Sequence, residues 1–373
     1  MQTPRLALTD EQRLLAENLA RLLSETHPWD QRRPGLKGPA ADFLPLWASL
    51  VDLGLIGAAV EERHGGFAGD ARTIAVVMSG LGSGLALVPY LEGAVVACRI
   101  LQSVSRDAVA HETIKAIADG QEICLLAHSQ AFTTSAVVPV RAADRRDDFV
   151  LNGRIAGVRY GLSAHSFLVP AGSGEGRFEI FRVPRESLGL EVQGYRLIDG
   201  SHAADLILHD VLLRNEARLP FGGDSRTVLD DALEWGVMAS IAETVGILSA
   251  LNTATFSYLM TRKQFGTAIG TFQALQHRAA DMHIAAEEAA ALAHAAIETF
   301  HGEPSPDRSA IVSAAKVVAD RAARRIGADA VQLHGGMGVS DELMVSHYAR
   351  RLIAIRHTFG GTDAHRQRFG RIA

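Results

Sequence analysis

Along the first 120 residues, apolar positions recur at the spacing of one helical face. Leu15, Leu19 and Leu22 share such a face, and Thr9 with Gln12 three residues on forms a capping-box signature ahead of it. The run Leu44-Pro-Leu-Trp-Ala-Ser-Leu-Val-Asp-Leu-Gly-Leu predicts a further helix stopped by glycine. From Glu122 to about Pro220 the apolar runs shorten: Ile123 to Ala127, Phe149 to Leu151, Phe167 to Val169, Phe178 to Phe181 and Asp205 to Leu208. Turn residues, including Asn152-Gly153 and Asp199-Gly200, crowd between them and predict β-strands. Beyond Asp224 the helical period returns over Leu229 to Arg262, Gln273 to His301 and Ser309 to Leu333. Pro304 and Pro306 separate the last two segments, Gly335-Gly336 stops the third, and Ser340 is placed to cap a final helix toward Arg356. The pattern predicts an α+β chain: a helical domain over 1–121, a small β domain over 122–223 and a helical domain over 224–373.

With 373 residues, 47% of them apolar, the chain has the material for cores in two or three domains. The net charge of −5 supplies no basic field of the kind a phosphate backbone requires, so nucleic acid is excluded as a partner class. Cys98 and Cys124 have no spaced neighbours that would build a metal site or a disulfide framework, and they read as buried reduced thiols. Met1 to Asp10 shows no basic segment followed by an apolar stretch, and no uninterrupted apolar run has membrane-spanning length. A cytoplasmic protein with no membrane association is expected. His334, His347, His357 and His365 do not lie three or four residues apart with a helical carboxylate, so no metal is expected.

Two segments carry the chemistry: Arg262-Lys-Gln-Phe-Gly-Thr-Ala-Ile-Gly-Thr-Phe-Gln and Gln332-Leu-His-Gly-Gly-Met-Gly. A guanidinium such as Arg262 suits a diphosphate through paired charge-assisted hydrogen bonds. Phe265 can cover an aromatic ring, Gln273 can bond to polar edges, and Gly335 and Gly336 let backbone approach a ligand closely. Singly, these residues are as readily a helix-end cation, a core aromatic and a C-cap. Together, at this spacing, they resemble the dimer-spanning FAD-binding elements of the acyl-CoA dehydrogenase family. Leu53-Gly-Leu-Ile-Gly followed by Glu61-Glu-Arg-His-Gly-Gly-Phe resembles that family's N-terminal signature, and the order helical domain, β domain, helical bundle extends the resemblance over nearly the whole chain.

The resemblance implies a middle β-barrel-like domain, a C-terminal four-helix bundle and bound FAD. It implies cofactor contacts from Arg262, Phe265, Gln273, Gln332, Gly335, Gly336 and Thr362, with Arg262, Phe265, Gln273, Gly335 and Gly336 reaching the flavin of a neighbouring subunit. Ala127 and Ser129, in Leu125-Leu-Ala-His-Ser-Gln, stand where the family offers hydroxyl and backbone groups to the isoalloxazine. Where the family often has a tryptophan and a threonine beside the flavin, this chain has Gly157 and Arg159.

Removing an α-hydrogen from an acyl-CoA while hydride leaves the β-carbon requires a general base. The commonest family base precedes a Gly-Thr pair, where this chain has Gly360 in Thr358-Phe-Gly-Gly-Thr. A second family solution, counted back from Arg262, falls on Gly236. Glu243 lies seven residues after Gly236, on the same helical face and about 10 Å along the axis. It is the candidate catalytic base, and it matches a glutamate before Val-Gly in a subgroup resembling the pimeloyl-CoA dehydrogenase small subunit and steroid side-chain dehydrogenases. The other reading of Glu243 is a structural carboxylate satisfied by an arginine or a neighbouring helix. Glu234 is the runner-up base, though two residues from Gly236 it faces another way.

Three functions follow from the resemblance. The first is an FAD-dependent acyl-CoA dehydrogenase of fatty acid or steroid catabolism that passes electrons to an electron-transfer flavoprotein. The second is a non-catalytic subunit that completes the flavin site of an unlike partner. The third is a flavin monooxygenase on the same scaffold. A homotetramer or a heterotetramer is expected accordingly.

Overall fold

The computed structural model describes residues 8–29, 43–67, 69–104, 107–128, 138–146, 148–174 and 177–372. In chain order the helices are α1 (Asp10–Thr26), α2 (Leu44–Asp52), α3 (Ala71–Ser83), a π-helix (Tyr90–Ala97), α4 (Cys98–Gln102) and α5 (Ala108–Ala118). After seven strands, β1 to β7, come α6 (Ser225–Thr261), a two-strand hairpin, α7 (Gln273–Glu298), α8 (Pro306–His334), α9 (Met344–Ile355) and α10 (Thr362–Ile372). The architecture is the expected one: helices, a middle sheet, then helices. Packing divides it into two compact units. A helical unit comprises Met1–Lys37, Ala71–Ala86 and Val237–Ala373, and a sheet unit comprises Gly38–Asp70 and Leu87–Gly236.

In the helical unit α1 starts on the expected capping box, with Thr9 Oγ1 accepting from Gln12 N and the Gln12 side chain accepting from Thr9 N, both at 3.2 Å. Ile247, Leu248 and Leu251 of α6 meet Ala285, Ala286 and Ala289 of α7, Ala322, Ala323 and Ile326 of α8, and Tyr348 and Leu352 of α9 in one core. Small side chains on α7 and α8 let these helices pack closely. The tightest approach is between α3 and α6. A Cβ on Gly82 would lie 2.3 Å from the Glu243 carbonyl oxygen, and one on Gly246 would lie 2.1 Å from the Ser79 carbonyl oxygen. Two reciprocal glycines therefore set the crossing, and Ser83 Oγ donates to Gly246 O across it at 3.1 Å.

The sheet unit holds one mixed seven-stranded sheet in the order β1, β4, β2, β3, β7, β6, with β5 (Arg177–Pro184) antiparallel to β4 (Ser166–Gly174). β1 (Cys124–Leu126) runs parallel to β4, while β2 (Val140–Arg145), β3 (Asp148–Arg159), β7 (His202–Arg214) and β6 (Leu190–Arg196) form an antiparallel succession. Asp199-Gly200 makes the β6–β7 turn, with Asp199 Oδ1 accepting from Ser201 N at 3.0 Å.

Two expectations are corrected. Asn152-Gly153 is no turn: both residues lie inside β3 at a register shift, where Gly153 passes close to the Pro139 and Val140 backbone at the start of the neighbouring strand. Ser340 does not cap α9, which begins at Met344; its hydroxyl accepts from Glu342 N in a local turn instead. By composition α6 is long and apolar enough to cross a bilayer, but 72% of its most apolar window is buried within the protein, as befits a core helix.

Gly246→Ala is expected to destabilise the protein by about 1–2 kcal/mol, because overpacking against Ser79 O outweighs the gain in helix propensity. Urea denaturation checks this; a stabilised variant would refute the tight crossing. Acid should act through His365, which is 4% exposed and held neutral at a pKa of about 4, chiefly by burial and then by the Lys316 charge. The unfolded chain takes up this proton below about pH 6.5 and the native chain does not, so stability falls from about pH 6.5 to about 4. His365→Gln is expected to be less stable than the parent at pH 7, with the gap narrowing by up to about 3 kcal/mol by pH 4. A gap independent of pH would contradict the buried neutral ring.

Candidate functional site

At the end of α6, Arg262 N closes the last turn on Tyr258 O, and a hairpin follows: Lys263–Gln264 paired with Thr267–Ala268. Its tip is Phe265-Gly266, both at positive φ (51° and 81°), the backbone of a two-residue turn. Phe265 is held 92% exposed, touching Phe272 edge-on at 6.1 Å. Gln273 begins α7 next to it, exposed. Among the described residues, the Arg262 side chain has no ionic or hydrogen-bonding partner.

The second motif lies nearby. The Tyr258 ring stacks on His334 at 4.3 Å, which ties the end of α6 to the end of α8. Gly335 follows at φ 60° and ψ −142°, a conformation open to glycine alone, and no atom lies within 4 Å of where a Cβ on Gly335 or Gly336 would stand. Gln332, Gly335 and Gly336 are exposed beside Met337 and Val339. The Tyr258–His334 stack thus ties the Arg262 segment to the Gly335-Gly336 segment, and Arg262, Phe265, Gln273, Gln332, Gly335 and Gly336 are all exposed in the helical unit. The set fits an adenine dinucleotide: an unpaired guanidinium for phosphate, an uncovered ring face, and backbone that nothing shields.

Glu243 is elsewhere in this unit, and it is occupied. Arg351 of α9 donates from Nε to Oε1 at 2.6 Å and from Nη2 to Oε2 at 2.8 Å, and the two residues are 4% and 5% exposed. This is a buried two-point ion pair. A second charged pair lies on α8: Lys316 Nζ is 3.1 Å from Asp320 Oδ1, with both side chains inaccessible. Burial pulls Lys316 down and pushes Asp320 up from their ordinary values, and Glu243 acts on the Lys316 charge from nearby. Thr362 is drawn into this network, donating to Asp320 Oδ2 at 3.1 Å.

In the sheet unit Ala127 is buried and its N–H donates to Leu168 O at 2.9 Å. Ser129 lies outside the described residues. Gly157, at φ 79°, donates its N–H to Asp205 Oδ1 at 3.0 Å. Arg159 is 8% exposed; its Nε donates to Glu92 Oε1 of the π-helix at 2.8 Å, and Nη2 lies 3.8 Å from Asp199. Glu92 carries no signal in the sequence beyond its place in an apolar run.

Sequence reasoning foresaw an arginine as one fate for Glu243 but did not single out Arg351, and it missed the Lys316–Asp320 pair altogether. The available signal was a Lys and an Asp at i and i+4 inside an alanine-rich stripe whose neighbours are all buried. His365 is a structural residue: its Nε2–H donates to Phe359 O at 3.1 Å.

Residues 9–121 match the family model for the acyl-CoA dehydrogenase N-terminal domain, and residues 226–373 match the model for the C-terminal domain. Acyl-CoA dehydrogenase FadE27 of Mycobacterium tuberculosis is 28% identical over 335 residues, 87% of either chain. Among solved structures, the ChsE4–ChsE5 complex of Mycobacterium tuberculosis superposes with a TM-score of 0.89 at 25% identity, covering 98% of this chain and 97% of that one. The Tcur3481–Tcur3483 steroid ACAD superposes at 0.86, also with 25% identity and 97% coverage of each chain. With matching architecture and both terminal domains matched, the chain belongs to the acyl-CoA dehydrogenase family of FAD-dependent oxidoreductases.

Proposed function

We propose that this chain is the flavin-completing subunit of an acyl-CoA dehydrogenase built from two unlike chains. One observation carries the reading: Glu243, the carboxylate that shares a helical face with the base position at Gly236, has both oxygens engaged by buried Arg351. Taking a proton from a substrate carbon would break that pair and strand a guanidinium in the core, a state disfavoured by several kcal/mol. Gly236 and Gly360 offer no side chain at either base position. The buried Arg159–Glu92 pair, where the family often has residues beside the flavin, supports the same division of labour.

In this reading the partner supplies the general base, which removes the α-proton of the thioester. FAD held at this site would supply the two-electron oxidation that takes up the β-hydride, with an electron-transfer flavoprotein as the proposed onward acceptor. This chain's Arg262 binds phosphate, Phe265 covers a ring, and Gly335 and Gly336 admit the dinucleotide against the main chain. A bulky, steroid-type acyl group is the proposed substrate class, supported by the steroid ACAD among the similar structures and by the absent side chains at Gly236 and Gly360. A cytoplasmic setting is part of the proposal, supported by the buried free thiols Cys98 and Cys124.

The chain purified alone is expected to hold little flavin, and coexpression with a second dehydrogenase-like chain should give a yellow complex that steroid-type CoA thioesters bleach anaerobically. Bleaching by the lone chain would overturn the reading, and oxygen uptake dependent on reduced flavin would point to a monooxygenase. Glu243→Gln should lower stability by about 3 kcal/mol by orphaning Arg351. The double variant Glu243→Leu with Arg351→Met removes both charges and should restore folding. Turnover by its complex is the expected result; a folded, flavin-loaded and inactive complex would make Glu243 the base.

A further inference from the structure

A single stripe of α8 holds both ends of the segment between α9 and α10. Ser313, Lys316 and Asp320 stand at i, i+3 and i+7, on one helical face, and each is at most 1% exposed. Lys316 Nζ donates to Ile355 O at 3.0 Å, which is the last residue of α9 and the negative end of its dipole. Asp320 Oδ2 accepts from Thr362 Oγ1 at 3.1 Å, which is the first residue of α10. Between them, His365 reaches back from α10 to accept from Ser313 Oγ at 3.4 Å through Nδ1 and to donate to Phe359 O at 3.1 Å through Nε2.

The bridged segment needs such support. Phe359 and Gly360 are consecutive left-handed residues, at φ 57° and 97°. A bulky residue in that region is disfavoured and persists only where its surroundings over-determine it. The Phe359 ring is 2% exposed, so the ring anchors the strained turn from one side and the His365 bond anchors its carbonyl from the other.

We propose that Lys316, Asp320 and His365 are positioning residues that hold the Thr358-Phe-Gly-Gly-Thr362 segment in a fixed shape toward the flavin. The proposal rests on reading this chain as part of a flavin site. None of the three touches the reacting atoms; each acts through the backbone of Ile355 or Phe359 or through the Thr362 hydroxyl. Lys316 and Asp320 offset each other's charge, and Glu243 favours the Lys316 charge while Arg356 opposes it, so the strap is held by a compensated buried pair.

Two measurements test it. In the isolated, flavin-free chain, amide hydrogen exchange should speed up by about tenfold or more over residues 356–362 in Thr362→Val and Asp320→Asn, with α7 unchanged. In the coexpressed complex the same variants should weaken FAD retention by about tenfold and alter the visible circular dichroism of the bound flavin. The double variant Lys316→Met with Asp320→Leu separates strap from stability. It removes the buried charges, and it should fold while leaving 356–362 unprotected. Unchanged exchange in all three overturns the strap. A loosened segment with unchanged flavin retention and dichroism overturns the link to the flavin. A parent complex that never retains flavin overturns the function proposed above, while the exchange result still decides the strap.

Discussion

The pair between Glu243 and Arg351 is the interaction around which the helical unit is arranged. A carboxylate this deep in an apolar core is tolerable only with a two-point partner. That requirement fixes α9 against α6 at one register. The same stretch of α6 lies against α3 through Gly82 and Gly246, so any added side chain there would displace the Glu243 backbone itself. Tyr348, on the same helix as Arg351, donates to Ser83 O and closes the triangle of α3, α6 and α9. Charge pairing and glycine packing are therefore two parts of one constraint.

Elements with local chemical causes were legible in the sequence. The Thr9 capping box, the glycine stop after His334 and the Asp199-Gly200 turn each depend on residues within four positions of one another, and each formed as expected. Elements that depend on distant partners were not. Asn152-Gly153 has the composition of a turn, yet pairing of β3 with both β2 and β7 keeps it in a strand and absorbs the irregularity as a bulge. Ser340 has a capping side chain, but its local bond to Glu342 N competes for the hydroxyl.

The candidate site divides along the same line. Arg262, Phe265 and the paired glycines could be read because their function needs a spacing within one segment, and the Tyr258–His334 stack then joined the two segments. Glu243 was found for its apolar surroundings, but those surroundings contain Arg351, 108 residues away, which changes what the carboxylate can do. Lys316, Asp320 and His365 are dispersed along two helices, and only the fold shows that they converge on one short segment.

The hairpin tip has a consequence for the chain's life in a cell. With Phe265 92% exposed and Met260 and Val339 about as open, at 72% and 70%, the lone chain presents to water a surface suited to another protein or to a cofactor. An orphaned copy is thus marked by its own geometry as a target for chaperones and proteases, and its abundance would be set by the supply of whatever covers that tip.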